Sequence, residues 1–114
     1  MKYVLFIYQP DKFDPKSLSK EEHAMIAADY QAVSVTPNVT SGPPLGYVHK
    51  AITVTSQNGK TSTTDGPYLG TTGAVGGFMT YEADTLEEAV ALAARVPAVR
   101  LGGAVEIRPS EVYW

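Results

Sequence analysis

Cysteine is absent from the 114 residues. That excludes structural disulfides, thiolate zinc sites and cysteine nucleophiles together. Long hydrophobic runs are missing as well. The apolar stretch near the N-terminus, Tyr3 to Tyr8, gives way at once to Gln9-Pro10-Asp11. It is too short for a secretory signal and far too short to span a membrane, so the chain reads as soluble and cytoplasmic. Positive charge is scarce: nine Lys and Arg against twelve Asp and Glu give a net charge of −3. No basic stripe with interleaved aromatics occurs, and nucleic-acid binding is not expected. The two histidines, His23 and His49, lie apart without ligand-type spacing, so no metal or other cofactor is predicted.

The length fits one domain over 1–114, able to bury roughly two-thirds of its unfolded surface in a core. Residues 3–8 read as a strand with Val4, Phe6 and Tyr8 on one face and Tyr3, Leu5 and Ile7 on the other. Apolar residues on both faces mark a central strand. Ser19-Lys20-Glu21-Glu22 is a capping box opening a helix, whose inner face is traced by Met25, Ile26, Asp29, Tyr30 and Val33. This helix is expected to fade before Pro37. A short strand over 39–41 precedes a hairpin with arms at 51–55 and 60–64 about the type I′ signal Asn58-Gly59.

A second central strand follows over 78–83. Thr85-Leu86-Glu87-Glu88 opens a second capped helix running to about Arg95, with Leu86, Ala89, Val90 and Ala93 on one stripe and Pro97 marking its end. A last strand covers 104–108. The succession is the split βαβ arrangement of a ferredoxin-like α+β sandwich: an antiparallel sheet, two helices on one face and an inserted β-hairpin. Two helices cover only one face of that sheet. Because strands 3–8 and 78–83 are apolar on both faces, a second copy of the chain is expected on the other, giving a homodimer.

The stretch from Asp65-Gly66-Pro67-Tyr68 through Gly76-Gly77-Phe78 is the predicted site. A glycine-rich loop of this length in a small domain points to function, since its backbone can approach a ligand closely. It lacks the lysine of a phosphate loop and leads into a strand, which excludes that reading. Tyr8, Tyr47, Tyr68 and Tyr81 are candidate aromatic walls, Tyr81 being read instead as ordinary packing. Glu106 and Arg108 share a strand face and are read as pairing, with each other or across the dimer, rather than acting on substrate.

At Asp65-Gly66-Pro67-Tyr68 and Gly76-Gly77-Phe78 the chain resembles the YCII-related family, in the branch named for its DGPF motif. The opening Met1-Lys2-Tyr3, Asn58-Gly59-Lys60, Leu86-Glu87-Glu88-Ala89, Arg95-Val96-Pro97 and Gly103-Ala104-Val105-Glu106-Ile107-Arg108-Pro109 extend the resemblance over most of the chain. It implies a ferredoxin-like fold of the dimeric α+β barrel type. It also implies a histidine–aspartate pair, carried here by His23 and Asp65, and a sigma-factor association for this branch. Tyr68 stands where the branch has phenylalanine, and Gly70, Thr72 and Gly73 replace its charged residues.

His23 and Asp65 are therefore the candidate acid–base pair, the carboxylate orienting the imidazole. The alternative is that Asp65 only caps its turn through Asx-type bonds to the backbone. Tyr8, Gly66, Pro67 and Tyr68 are the candidate ligand-binding residues for a small molecule. Three functions stay open: a small-molecule enzyme, a binding module without turnover, and a structural dimer.

Overall fold

The computed structural model describes residues 1–10, 14–69 and 75–113. Gly70 and Gly73 of the glycine-rich loop, and Trp114 of the tail, lie outside the described residues. β1 (Lys2–Tyr8) is central, pairing antiparallel with β5 (Val75–Glu82) on one side and with β6 (Ala104–Pro109) on the other. A short β2 (Val39–Ser41) adds to the far side of β5, for the order β2-β5-β1-β6. This is the strand order of the split βαβ sandwich expected from the sequence. The inserted hairpin, β3 (Ile52–Gln57) with β4 (Lys60–Asp65), forms a separate two-stranded sheet. Asn58 and Gly59, with φ of 53° and 78°, supply the two left-handed positions of its tight turn.

Among the described residues, three α-helices lie on one face. α1 (Lys20–Ser34) starts where Ser19 Oγ accepts the Glu22 N–H at 3.1 Å. α2 (Leu86–Ala94) starts where Thr85 Oγ1 accepts the Glu88 N–H at 3.2 Å, and the Glu88 carboxylate reaches back to the Asp84 N–H at 3.1 Å. Both caps satisfy orphan amides of the first turn. Pro97 does more than end α2. It occupies the first turn of α3 (Pro97–Arg100), where its missing N–H costs nothing.

The core lies between helices and sheet: Tyr3, Leu5 and Ile7 of β1, Met79 of β5, Val33 of α1, Ala89, Leu92 and Ala93 of α2, Val96 just before α3, and Ala98 of α3. Tyr81, Val105 and Ile107 pack against it, so the packing reading of Tyr81 holds. Two expected core faces are rotated. Met25 is exposed, because α1 is anchored through its second half, where Tyr30 and Val33 join the core and Asp29 pairs with Arg100 at 2.6 Å. On α2 the inner stripe runs through Ala89, Leu92 and Ala93, leaving Leu86 and Val90 half exposed. Helical spacing names a stripe, but neighbouring elements decide which of two adjacent stripes they cover.

The opposite sheet face carries Val4, Phe6 and Tyr8 half-buried beside an exposed Phe78. Arg108 lies over the Phe6 ring, 5.7 Å from its centroid, and its Nε donates to Glu106 at 2.7 Å, the pair read from the sequence. The molecule measures 48 × 39 × 19 Å, thin in the direction of its two layers. Among the described residues, no helix is long and apolar enough to cross a membrane.

Candidate functional site

Asp65 closes β4 opposite Ile52, and the next residue breaks the ladder. Gly66 takes φ of 104°, a conformation that favours glycine. Its N–H donates to the Ala51 carbonyl and its own carbonyl accepts from Thr53 Oγ1, both at 2.7 Å. The turn into Pro67 is thus tied to the base of the hairpin by Ala51 and Thr53. The Asx-type bonds considered for Asp65 are not what holds it. Pro67, Tyr68 and Leu69 are thereby turned back toward the segment that enters β3.

That segment is fixed in turn. After Gly42, whose N–H donates to the Phe78 carbonyl at 2.9 Å, the chain passes Pro43 and Pro44. Leu45 donates its N–H to the Gly76 carbonyl at 3.2 Å. A single 3₁₀ turn, Val48–Lys50, closes through Lys50 N–H to the Tyr47 carbonyl at 2.9 Å. Tyr47 stacks on His49 with ring centroids 5.8 Å apart.

Between these two segments and the end of the sheet lies a cleft of about 520 Å³. Its walls are Leu45, Gly46, Tyr47, Val48, Lys50 and Ala51 on one side and Pro67, Tyr68 and Leu69 on the other, with Tyr8 and Val75 from the sheet. Tyr8, Pro67 and Tyr68 of the expected ligand set come together here, and Gly66 adjoins them. A β-bulge shapes the floor: Ile7 faces Gly77 while Tyr8 faces Val75, leaving Gly76 as the extra residue. Gly76 and Gly77 therefore belong to the strand instead of the loop. The Gln9 side chain lies over Gly76, where a Cβ would come within 2.6 Å of Gln9 Nε2.

A smaller cavity of about 360 Å³ opens between α1 and β5, bounded by Gln9, Tyr30, Ser34, Ser41 and the 42–44 turn. The Tyr30 hydroxyl there is raised above its ordinary pKa of 10.0 by burial. A hydrogen bond with Gln9, one with the Ala98 backbone and the charge of Arg100 oppose the shift.

His23 and Asp65 line neither cavity. The His23 ring is held by the Pro15 carbonyl, 2.7 Å from Nε2; a carbonyl only accepts, so Nε2 carries the proton. No hydrogen bond or ion pair joins His23 to Asp65 within one chain. Among the described residues, no cluster of three or more His, Asp or Glu is arranged to hold a metal ion. Leu45, Val48, Lys50 and Val75 are cleft residues that pattern reading missed. The one local signal was the crowding of turn residues at Gly42-Pro43-Pro44 and Gly46 before the hairpin.

No curated protein matches the chain. The family model of the YCII-related domain matches residues 1–111, nearly the whole length, and the chain belongs to the YCII-related family.

Proposed function

We propose that the protein is a homodimeric binding module for a small, flat, largely apolar molecule, held in the cleft between the Tyr47 and Tyr68 segments. The observation that carries this reading is the convergence of three tyrosines from distant parts of the chain, Tyr8, Tyr47 and Tyr68, on one cavity of about 520 Å³. Concave, mainly apolar sites with a few polar tips are the ordinary form of small-molecule pockets. Tyrosines supply both the apolar wall and the polar tip. An acid–base reaction at His23 and Asp65 is the less supported reading, because the imidazole is engaged by Pro15 and neither side chain reaches the cleft.

The dimer belongs to the same proposal. The chain exposes 8292 Å², whereas a compact monomer of 12.2 kDa exposes about 6,000 Å². The excess, on the order of 2,000 Å², is what one partner contributes to an obligate interface. Tyr8 belongs both to the open sheet face and to the cleft. A second copy laid on that face would therefore border the mouth of the cleft.

A neutral two-ring probe tests the reading. Titration with 2-naphthamide should shift the backbone amide signals of Tyr8, Tyr68 and Val75 saturably in a heteronuclear NMR spectrum. Tyr68→Ala should weaken that binding several-fold, in line with the worth of one aromatic contact. Absence of saturable shifts at millimolar probe would overturn it.

A further inference from the structure

We infer that the molecule this cleft takes is a monoanion, an aromatic carboxylate, with Lys50 as its counter-charge; the inference rests on the cleft being the binding site. Among the described residues, Lys50 is the one charged residue in the lining. Its stem lies across Gly46: a Cβ built there would be 3.7 Å from Lys50 Cδ. The apolar part of the side chain thus belongs to the wall, and the ammonium sits at its end, as amphipathic side chains do at apolar surfaces. The backbone beneath is fixed by the 3₁₀ turn of Val48–Lys50.

Among the described residues, no carboxylate pairs with this charge. The ion pairs among the described residues are Met1 with Glu82, Arg100 with Asp29 and Arg108 with Glu106, and none involves Lys50. Asp65, one residue before the turn at Gly66, lies outside the lining and makes no ion pair with it. In a chain of net charge −3, an apolar recess whose only charge among the described residues is positive is set against the average field of the surface. The tyrosine hydroxyls of Tyr8, Tyr47 and Tyr68 make no hydrogen bond with another described residue, so each can donate to a ligand oxygen.

The chemistry of the site is therefore one ammonium with three donors, a phenol and two others like it, around apolar walls. Such a set suits an acceptor-only head carrying a single charge on a flat body. A carboxylate on an aromatic ring has that form. A di- or triphosphate does not, since it draws several cations or a nest of backbone amides, and one lysine without such a nest is too little.

The test compares 2-naphthoate with its neutral isostere 2-naphthamide by calorimetry at low salt. The protein should bind the anion roughly tenfold more tightly, the worth of one charge-assisted hydrogen bond. That preference should shrink as salt is raised. In Lys50→Met, which keeps the stem and removes the charge, the preference for the anion should disappear and the two probes should bind alike. Equal affinities in the parent protein, or a preference that survives Lys50→Met, would overturn the anion while leaving the cleft as a binding site. Binding of neither probe to the parent would overturn both.

Discussion

Tyr8 stands opposite Val75 because β5 carries one extra residue, Gly76, at that level. Side chains alternate between faces along a strand, so a regular ladder would place Gly76 opposite Tyr8 and turn Val75 toward the helices. The bulge moves Val75 to the open face, where it lines the cleft beside Tyr8. Bulges often re-aim side chains next to functional sites. Val75→Asp should leave the fold intact, since the position is half-buried at the sheet's end, and should weaken 2-naphthamide binding at least tenfold. Unchanged affinity in that variant would show that the cleft floor is not where the probe sits.

Gly103 lies against the carbonyl oxygen of Tyr8, with the Ala98 carbonyl 3.0 Å and the Pro10 nitrogen 3.1 Å from where its Cβ would be. All three are backbone atoms, which cannot swing aside as a side chain does. Gly103→Ala should destabilise by about 3 kcal/mol, the upper range for overpacking. Gly77→Ala is the control, because nothing lies within 4 Å of its Cβ position, and it should stay within about 0.5 kcal/mol of the parent. Urea unfolding midpoints measure both. Equal midpoints for the two variants would contradict the close approach.

The readable parts of this chain were the local ones. Asn58-Gly59 determines its own turn through two left-handed residues, and the Ser19 and Thr85 caps act within their own first helical turn. The strand order was also legible, because one-sided helices and two-sided strands admit few arrangements. The cleft was harder, for it joins residues far apart in sequence: Tyr8, the 45–51 segment, Pro67 to Leu69 and Val75. Nothing in the spacing of Val75 announces a bulge one residue later. Met25 shows the same limit on a helix, where a regular apolar spacing does not say how much of the helix its neighbours cover.

Tyr30 makes stability depend on alkaline pH. Burial raises its pKa above 10.0, and the Gln9 and Ala98 hydrogen bonds with the Arg100 charge only reduce that shift. Below pH 10 the hydroxyl is neutral in both folded and unfolded chains. As pH rises beyond 10, the unfolded chain loses this proton first, and the folded state loses stability until the folded hydroxyl also ionises. Tyr30→Phe should therefore flatten the fall in denaturation midpoint above pH 10 and leave the midpoint at neutral pH changed by no more than about 1 kcal/mol. A parallel fall in parent and variant would remove Tyr30 as the cause.

The proposed dimer makes the strongest physical demand on the chain. A radius of gyration of 16.1 Å exceeds the roughly 13 Å of a compact domain of this length. Ile52 and Val54 are exposed on a hairpin that forms its own sheet, and an isolated two-stranded hairpin is marginal in water. Val4, Phe6, Tyr8 and Phe78 form an apolar face over which the described residues lay no second layer. A second copy placed about a two-fold axis would cover both copies of that face at once. Glu106 and Arg108 do not oppose this, since they neutralise each other at 2.7 Å and Arg108 also shields the Phe6 ring. Light scattering at micromolar concentration should give twice the 12.2 kDa chain mass. Phe6→Glu places a carboxylate directly across from Glu106 in the β1–β6 register, where like charges repel, and should yield a folded monomer. If the second copy borders the cleft, that monomer should also bind 2-naphthamide several-fold more weakly than the dimer. A monomeric mass for the parent protein, with a native far-ultraviolet spectrum, would sink the dimer. Full probe affinity in the Phe6→Glu monomer would confine the cleft to a single chain.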